Sequence, residues 1–161
     1  MEKIPYLSAV GSLMYASIAT CPDITYAISH LGKYSANPGQ AHWMAAQHVI
    51  CYLNGTRERW LILGGKQPIA LDRYIDLDFT QDLDNRKSVS GYTFSLGSGA
   101  ISWSSKKQAT ISGSSTKAEY IAADHTAKEA MWLRSLLSLI GYPQCTSTLI
   151  CCNNMGMISL I

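Results

Sequence analysis

The spacing of apolar residues changes once along this chain. Upstream of Gly64-Gly65-Lys66-Gln67-Pro68 it is helical, and downstream it shortens to alternation. Residues 6–20 are apolar and rich in small side chains, with Leu7, Val10, Leu13, Met14 and Ile18 on one side of a predicted helix. Pro22 fits the first turn of a second helix, where its missing N–H is no loss, and Asp23 complements the positive end of the dipole. Ile24, Ala27, Ile28 and Leu31 carry this helix to about Ser35, and Asn37-Pro38-Gly39 breaks it. A third helix spans roughly Gln40 to Leu53 and stops at Asn54-Gly55. Trp60 to Leu63 predicts a short strand.

Downstream, Leu71 to Phe79 reads as a strand and Asp82-Leu83-Asp84-Asn85 as turn chemistry. Ser88 to Leu96 alternates, with Val89, Tyr92, Phe94 and Leu96 as strand formers, and Gly97-Ser98-Gly99 connects it to a returning strand over Ala100 to Ser104. Ser114 or Ser115 caps a long helix that continues to about Ile140, where Gly141 and Pro143 end it. Thr148 to Cys152 predicts a fourth strand, and Met155 to Ile161 the start of a helix. A helical crossover after a three-strand meander makes the fourth strand parallel to an earlier one. The expected fold class is therefore α/β: a mixed sheet with a long crossover helix over residues 66–161, preceded by a small helical segment over residues 1–65.

Composition narrows the function classes. The chain has 161 residues, 47% apolar and 15% charged, which supports a packed core. A net charge of +2 excludes broad electrostatic attraction to nucleic acid and leaves only local basic patches. Five cysteines (Cys21, Cys51, Cys145, Cys151 and Cys152), together with Glu2-Lys3 directly after Met1, predict reduced, mostly buried thiols in a cytoplasmic or nuclear, not secreted, protein. Asn54-Gly55-Thr56 is then a turn rather than a glycosylation site. No apolar run reaches the 18 residues of a membrane span.

Candidate chemistry begins with carboxylates. Asp76 and Asp78 alternate with Ile75 and Leu77, so both acids are expected on one face; a solvated strand face is the commoner meaning of that pattern alone. Glu119 falls in the first turns of the long helix, where the dipole by itself favours an acid. Taken together, a strand acid and a helix acid can hold divalent metal. Arg86-Lys87 and Lys106-Lys107 can meet phosphates or simply be solvated. Trp103 suits a strand-face core better than a stacking platform, and His125 suits a surface or capping role better than a proton shuttle. The cysteine spacing does not suit zinc, and Ser114 and Ser115 have no evident base.

Several segments then carry a family likeness. Asp84-Asn85-Arg86-Lys87-Ser88, Gly91-Tyr92, Ser102-Trp103-Ser104-Ser105-Lys106-Lys107-Gln108 and Ser114-Ser115-Thr116 through Glu119-Tyr120 closely resemble the RNase H region of copia-type retrotransposon polyproteins. Tyr6 to Tyr15, Pro22 to Ala27 and Tyr52-Leu53-Asn54-Gly55-Thr56 look like the end of the adjoining reverse transcriptase. The resemblance implies an RNase H-like fold and an endoribonuclease that cuts the RNA strand of an RNA–DNA hybrid with two Mg²⁺ ions about 4 Å apart. It implies the other segments of a Pol polyprotein as further partners. Asp76 matches the family's first-strand Asp and Glu119 its helix Glu, with Asp78 in a supporting or solvated role.

Asn153 stands where the family has its third carboxylate, in Cys152-Asn153-Asn154. An amide oxygen can ligate a hard cation but brings no negative charge. Losing that charge implies metal binding weaker by a few kcal/mol. Lys117 replaces a typical Glu, and the family continues past Ile161 with a helix and a further acid or His. The expected site is thus Asp76, Glu119 and Asn153 in a domain incomplete at its C-terminus, with weak or absent activity. The alternatives are a non-catalytic remnant or an interaction and hybrid-binding domain.

Overall fold

The computed structural model describes residues 4–63, 70–78, 87–109 and 113–148, with the side chains of residues 73–78 outside that set. They belong to two compact units, Met1–Leu61 and Ile62–Ile161.

The first unit holds α1 (Tyr6–Ala19), α2 (Thr25–Gly32) and α3 (Gln40–Gly55). A 3-10 turn, Pro22–Ile24, leads into α2 with Pro22 at its first position. Tyr6, Val10, Leu13, Ile24, Ile28, Leu31 and Ala46 form the core. The buried Tyr6 hydroxyl donates to the Leu31 carbonyl at 2.8 Å and ties α1 to the end of α2. Tyr52 on α3 donates to Asp23 Oδ2 at 2.6 Å. At the start of α3 the Gly39 N–H donates to His42 Nδ1 at 2.8 Å, which satisfies one of the helix's orphan donors.

The α1 stripe differs from the expected one. Tyr6, Val10, Leu13 and Ser17 are buried, whereas Leu7, Met14 and Ile18 are exposed. The Tyr6 anchor sets the helix's rotation, and the buried positions step from it by four and three residues. The strand expected over Trp60 to Leu63 is also absent: these four residues have no regular structure, and all are exposed. An apolar run becomes a strand only where a partner backbone can pair with it, and none does here among the described residues. The thiols depart from expectation as well. Cys51 and Cys145 are exposed and Cys21 is half-buried against the first unit's core, so none of the described cysteines is fully buried.

The second unit is built on β1 (Leu71–Asp78), β2 (Val89–Leu96), β3 (Gly99–Lys107) and α4 (Ser115–Leu139). The strands form an antiparallel meander in the order β1-β2-β3. Leu71 pairs opposite Leu96 and Asp78 opposite Val89; on the other side Val89 pairs opposite Lys107, with a register shift between Phe94 and Ser95. Gly97, at φ 70°, occupies the left-handed region in the β2–β3 turn. α4 lays Ala130, Leu133 and Leu137 against Leu71 and Phe94, and Tyr92, Leu96 and Ile101 pack at the margin.

After α4 the chain returns toward the start of β1. Arg134 holds this segment by donating to the Gln144 carbonyl at 2.6 Å, the Thr146 carbonyl at 2.8 Å and Thr148 Oγ1 at 2.6 Å. The Leu71 N–H in turn donates to Gln144 Oε1 at 3.1 Å. The architecture is therefore α/β, with a sheet that is wholly antiparallel among the described residues. The expected fourth strand lies outside the described residues apart from Thr148, as does the helix start that follows it. Among the described residues no helix is long and apolar enough to cross a membrane.

Candidate functional site

Ser114 begins the local architecture of the site. It stands before α4 in extended backbone, and its hydroxyl accepts from the Lys117 N–H at 3.2 Å. From this cap the helix buries Ala118, Ala122, Thr126, Ala130, Leu133 and Leu137, a stripe at steps of four and three. Glu119 lies beside that stripe and is only 7% exposed. A dipole acid on a solvated turn needs no burial, and burying a carboxylate is costly unless it is compensated. Lys117, two residues earlier, is exposed.

Gln108, just past β3, fixes where this turn sits. Its backbone N–H donates to the Ser88 carbonyl at 2.9 Å. Its buried side-chain amide donates to Ser90 Oγ at 2.8 Å and to the Ala118 carbonyl at 2.9 Å. Ser90 is the register partner of Leu77, and Gly91 that of Asp76. The helix turn that carries Glu119 is thus bonded to the part of β2 that runs beside Asp76–Asp78. Sequence reasoning used Gln108 only as part of a family-like run. A polar residue ending an alternating strand is weak evidence of such a bridge.

The other candidate residues are placed unevenly. Asp76 and Asp78 are in β1, with their side chains outside the described residues. Asn153 and Arg86 lie outside the described residues altogether. Lys87 Nζ donates to the Ala109 carbonyl at 2.6 Å, which joins the segment before β2 to the one after β3. Lys106 is exposed and Lys107 half-buried, and both line a cleft of about 560 Å³ between α4 and the β2–β3 ribbon. His125 is exposed and also lines this cleft. Among the described residues no three His, Cys, Asp or Glu side chains are grouped to hold a metal ion.

Tyr92 and Glu129 in the cleft lining belong to a polar network with Ser102 that sequence reasoning missed. Ser102 Oγ donates to Glu129 Oε1 at 2.7 Å. Tyr92 shares hydrogen bonds with Ser102 and Ser104; burial, reinforced by the Glu129 charge, raises its phenol above the usual tyrosine value. The available signal was helical: Glu129 follows Ala122 and Thr126 at steps of four and three.

No family model matches the chain, and no solved structure matches it. The chain is 46% identical over 160 residues, 99% of its length, to the Retrovirus-related Pol polyprotein from transposon TNT 1-94 of Nicotiana tabacum, and spans 12% of that protein. It is 39% identical over 155 residues, 96% of its length, to the Retrovirus-related Pol polyprotein from transposon RE2 of Arabidopsis thaliana, and spans 11% of it. It is also 41% identical over 133 residues, 83% of its length, to the Secreted RxLR effector protein 161 of Plasmopara viticola, and spans 94% of that protein. Over nearly its whole length the chain is thus homologous to a small segment of copia-type transposon Pol polyproteins. It spans about a tenth of the Pol polyproteins it matches, and most of the shorter relative.

Proposed function

We propose that this chain is the RNase H-type module of a copia-type Pol polyprotein, acting on the RNA strand of an RNA–DNA hybrid with weak or no turnover. In this reading residues 1–65 are the end of the adjoining reverse-transcriptase segment and residues 66–161 the RNase H-like domain. The other segments of the polyprotein are its natural partners. The observation that carries the reading is the buried Glu119, bonded through its neighbour Ala118 and Gln108 to the strand beside Asp76. The return of the chain to Leu71 through Gln144 supports it further, since a strand continuing from there along β1 would run parallel to it.

Asp76, Glu119 and Asn153 are the residues that would hold Mg²⁺. All three offer hard oxygen donors, and the near-complete burial of Glu119 suits a group that neutralises a cation. When bound, such a metal pair supplies an activated water and stabilises the leaving oxygen. The residues themselves do the positioning: Asp76 and Glu119 contribute the anionic charge, and Asn153 an oxygen without charge. Arg86, Lys87, Lys106 and Lys107 orient the hybrid by its phosphates, which fixes register without reading sequence.

A second reading, an interaction or hybrid-binding domain without turnover, is favoured by one observation. The relative named a secreted effector is almost coextensive with this chain, so the segment also occurs outside a long Pol polyprotein.

A hybrid-cleavage assay with Mg²⁺ titration, run on the chain and on Asn153→Asp, tests the proposal. Little cleavage by the chain, and a rise in the variant, is expected. Robust cleavage by the unaltered chain that Asp76→Asn abolishes would overturn the impairment. If both proteins fold but neither binds nor cuts hybrid, the nuclease reading fails.

A further inference from the structure

We propose that the cleft between α4 and the β2–β3 ribbon is a binding site for a phosphorylated ribonucleoside. At about 560 Å³ it falls within the range of small-molecule pockets and has room for one nucleotide. Its lining carries Lys106, Lys107 and Lys128 against Glu129, and with Lys128 paired to Asp124 at 2.6 Å the remaining two lysines still outnumber the one lining carboxylate, which favours an anion. Lysine ammonium groups are strong phosphate donors.

The interior suits a pentose rather than bare phosphate. Tyr92 and Ser104 offer hydroxyls that donate or accept. Glu129 accepts from Ser102 through one oxygen, and a carboxylate accepts up to about four hydrogen bonds, so it can also receive ribose hydroxyls. Ile121 and Ala122 supply an apolar wall for a base or sugar face. The site adjoins the proposed two-acid centre, since Ser90 and Gly91 in its lining pair opposite Leu77 and Asp76, and it shares Lys106 and Lys107 with the proposed hybrid contacts. Ribonucleotide binding is read without cleavage, so its failure and the failure of the nuclease reading are distinguishable.

Titration calorimetry on the full chain tests it, with adenosine 5′-monophosphate, its 2′-deoxy analogue, adenosine, orthophosphate and a short 5′-phosphorylated oligoribonucleotide as probes. Saturable binding of the ribonucleotide is expected, severalfold tighter than adenosine, orthophosphate or the deoxy analogue. Lys106→Ala should weaken it about tenfold, the scale of one charged hydrogen bond. Glu129→Gln should weaken the ribonucleotide but leave orthophosphate unchanged. Tighter binding of the oligoribonucleotide than of the mononucleotide identifies an RNA end as the source of the ligand, and the reverse identifies a free nucleotide. Absence of saturable ribonucleotide binding overturns the proposal, as does orthophosphate binding just as tightly with no response to Glu129→Gln. If Glu129→Gln does not fold, Lys106→Ala, on an exposed position, decides alone.

Discussion

The side-chain amide of Gln108 donates to the carbonyl of Ala118 at 2.9 Å, one residue before the buried Glu119. The same nitrogen reaches Ser90 Oγ, so one buried side chain joins a strand to the opening turn of α4. Gln108→Leu keeps similar bulk but removes both bonds and leaves a buried carbonyl without that donor. It should lower the unfolding free energy of the second unit by about 1–3 kcal/mol, read from the denaturant midpoint. A midpoint equal to that of the unaltered chain would show that the bridge is dispensable.

Two glycines should respond in opposite directions to alanine. A Cβ at Gly99 would come to 2.3 Å from the Ile62 carbonyl oxygen and 2.6 Å from a Leu63 methyl. Backbone cannot yield as a side-chain tip can, so Gly99→Ala should cost roughly 1–3 kcal/mol. At Gly11, inside α1, a Cβ meets nothing within 4 Å. Gly11→Ala should stabilise the first unit by about 0.5–1 kcal/mol through the lower entropy of its unfolded chain. Thermal melts of the two variants measure both signs.

Tyr92 predicts a loss of stability in alkali. Burial, then the Glu129 carboxylate, raises its phenol above the unfolded value of about 10. The neutral phenol is therefore favoured in the folded state. Its contribution is fully present below pH about 10 and is lost as pH rises through the folded pKa. Denaturant midpoints across that window should fall, and Tyr92→Phe should flatten the part of the fall that arises in the second unit. An equally steep fall in Tyr92→Phe would contradict the assignment.

Element types were mostly legible because period and punctuation agreed. Ser114 caps α4 as its sequence predicts, and the alternation of Val89, Tyr92, Phe94 and Leu96 gave β2. Where the reading failed, tertiary context decided. The face of α1 follows the Tyr6–Leu31 bond, which joins residues 25 apart, and no local pattern encodes it. Trp60 to Leu63 has strand composition but no partner strand among the described residues, and pairing is a property of the fold rather than of the segment. At the site, Glu119 was identified by its family-like setting, yet its burial belongs to the packing of α4, whose opening turn is bonded to Gln108 through the Ala118 carbonyl. The Tyr92–Ser102–Glu129 network was hidden because its members are distant in sequence and each has an ordinary role in its own element.

In the proposed nuclease, Asp76, Glu119 and Asn153 share one cation-binding pocket that lacks a single negative charge. Calorimetric Mg²⁺ titration of the chain and of Asn153→Asp, each with Asp76→Asn and Glu119→Gln, tests it most directly. Asn153→Asp should tighten Mg²⁺ binding at least about tenfold, and in that background the effects of Asp76→Asn and Glu119→Gln should be non-additive, as for residues sharing one metal-binding pocket. Unchanged Mg²⁺ affinity in folded Asn153→Asp, or strictly additive losses from the two acids, would contradict the account.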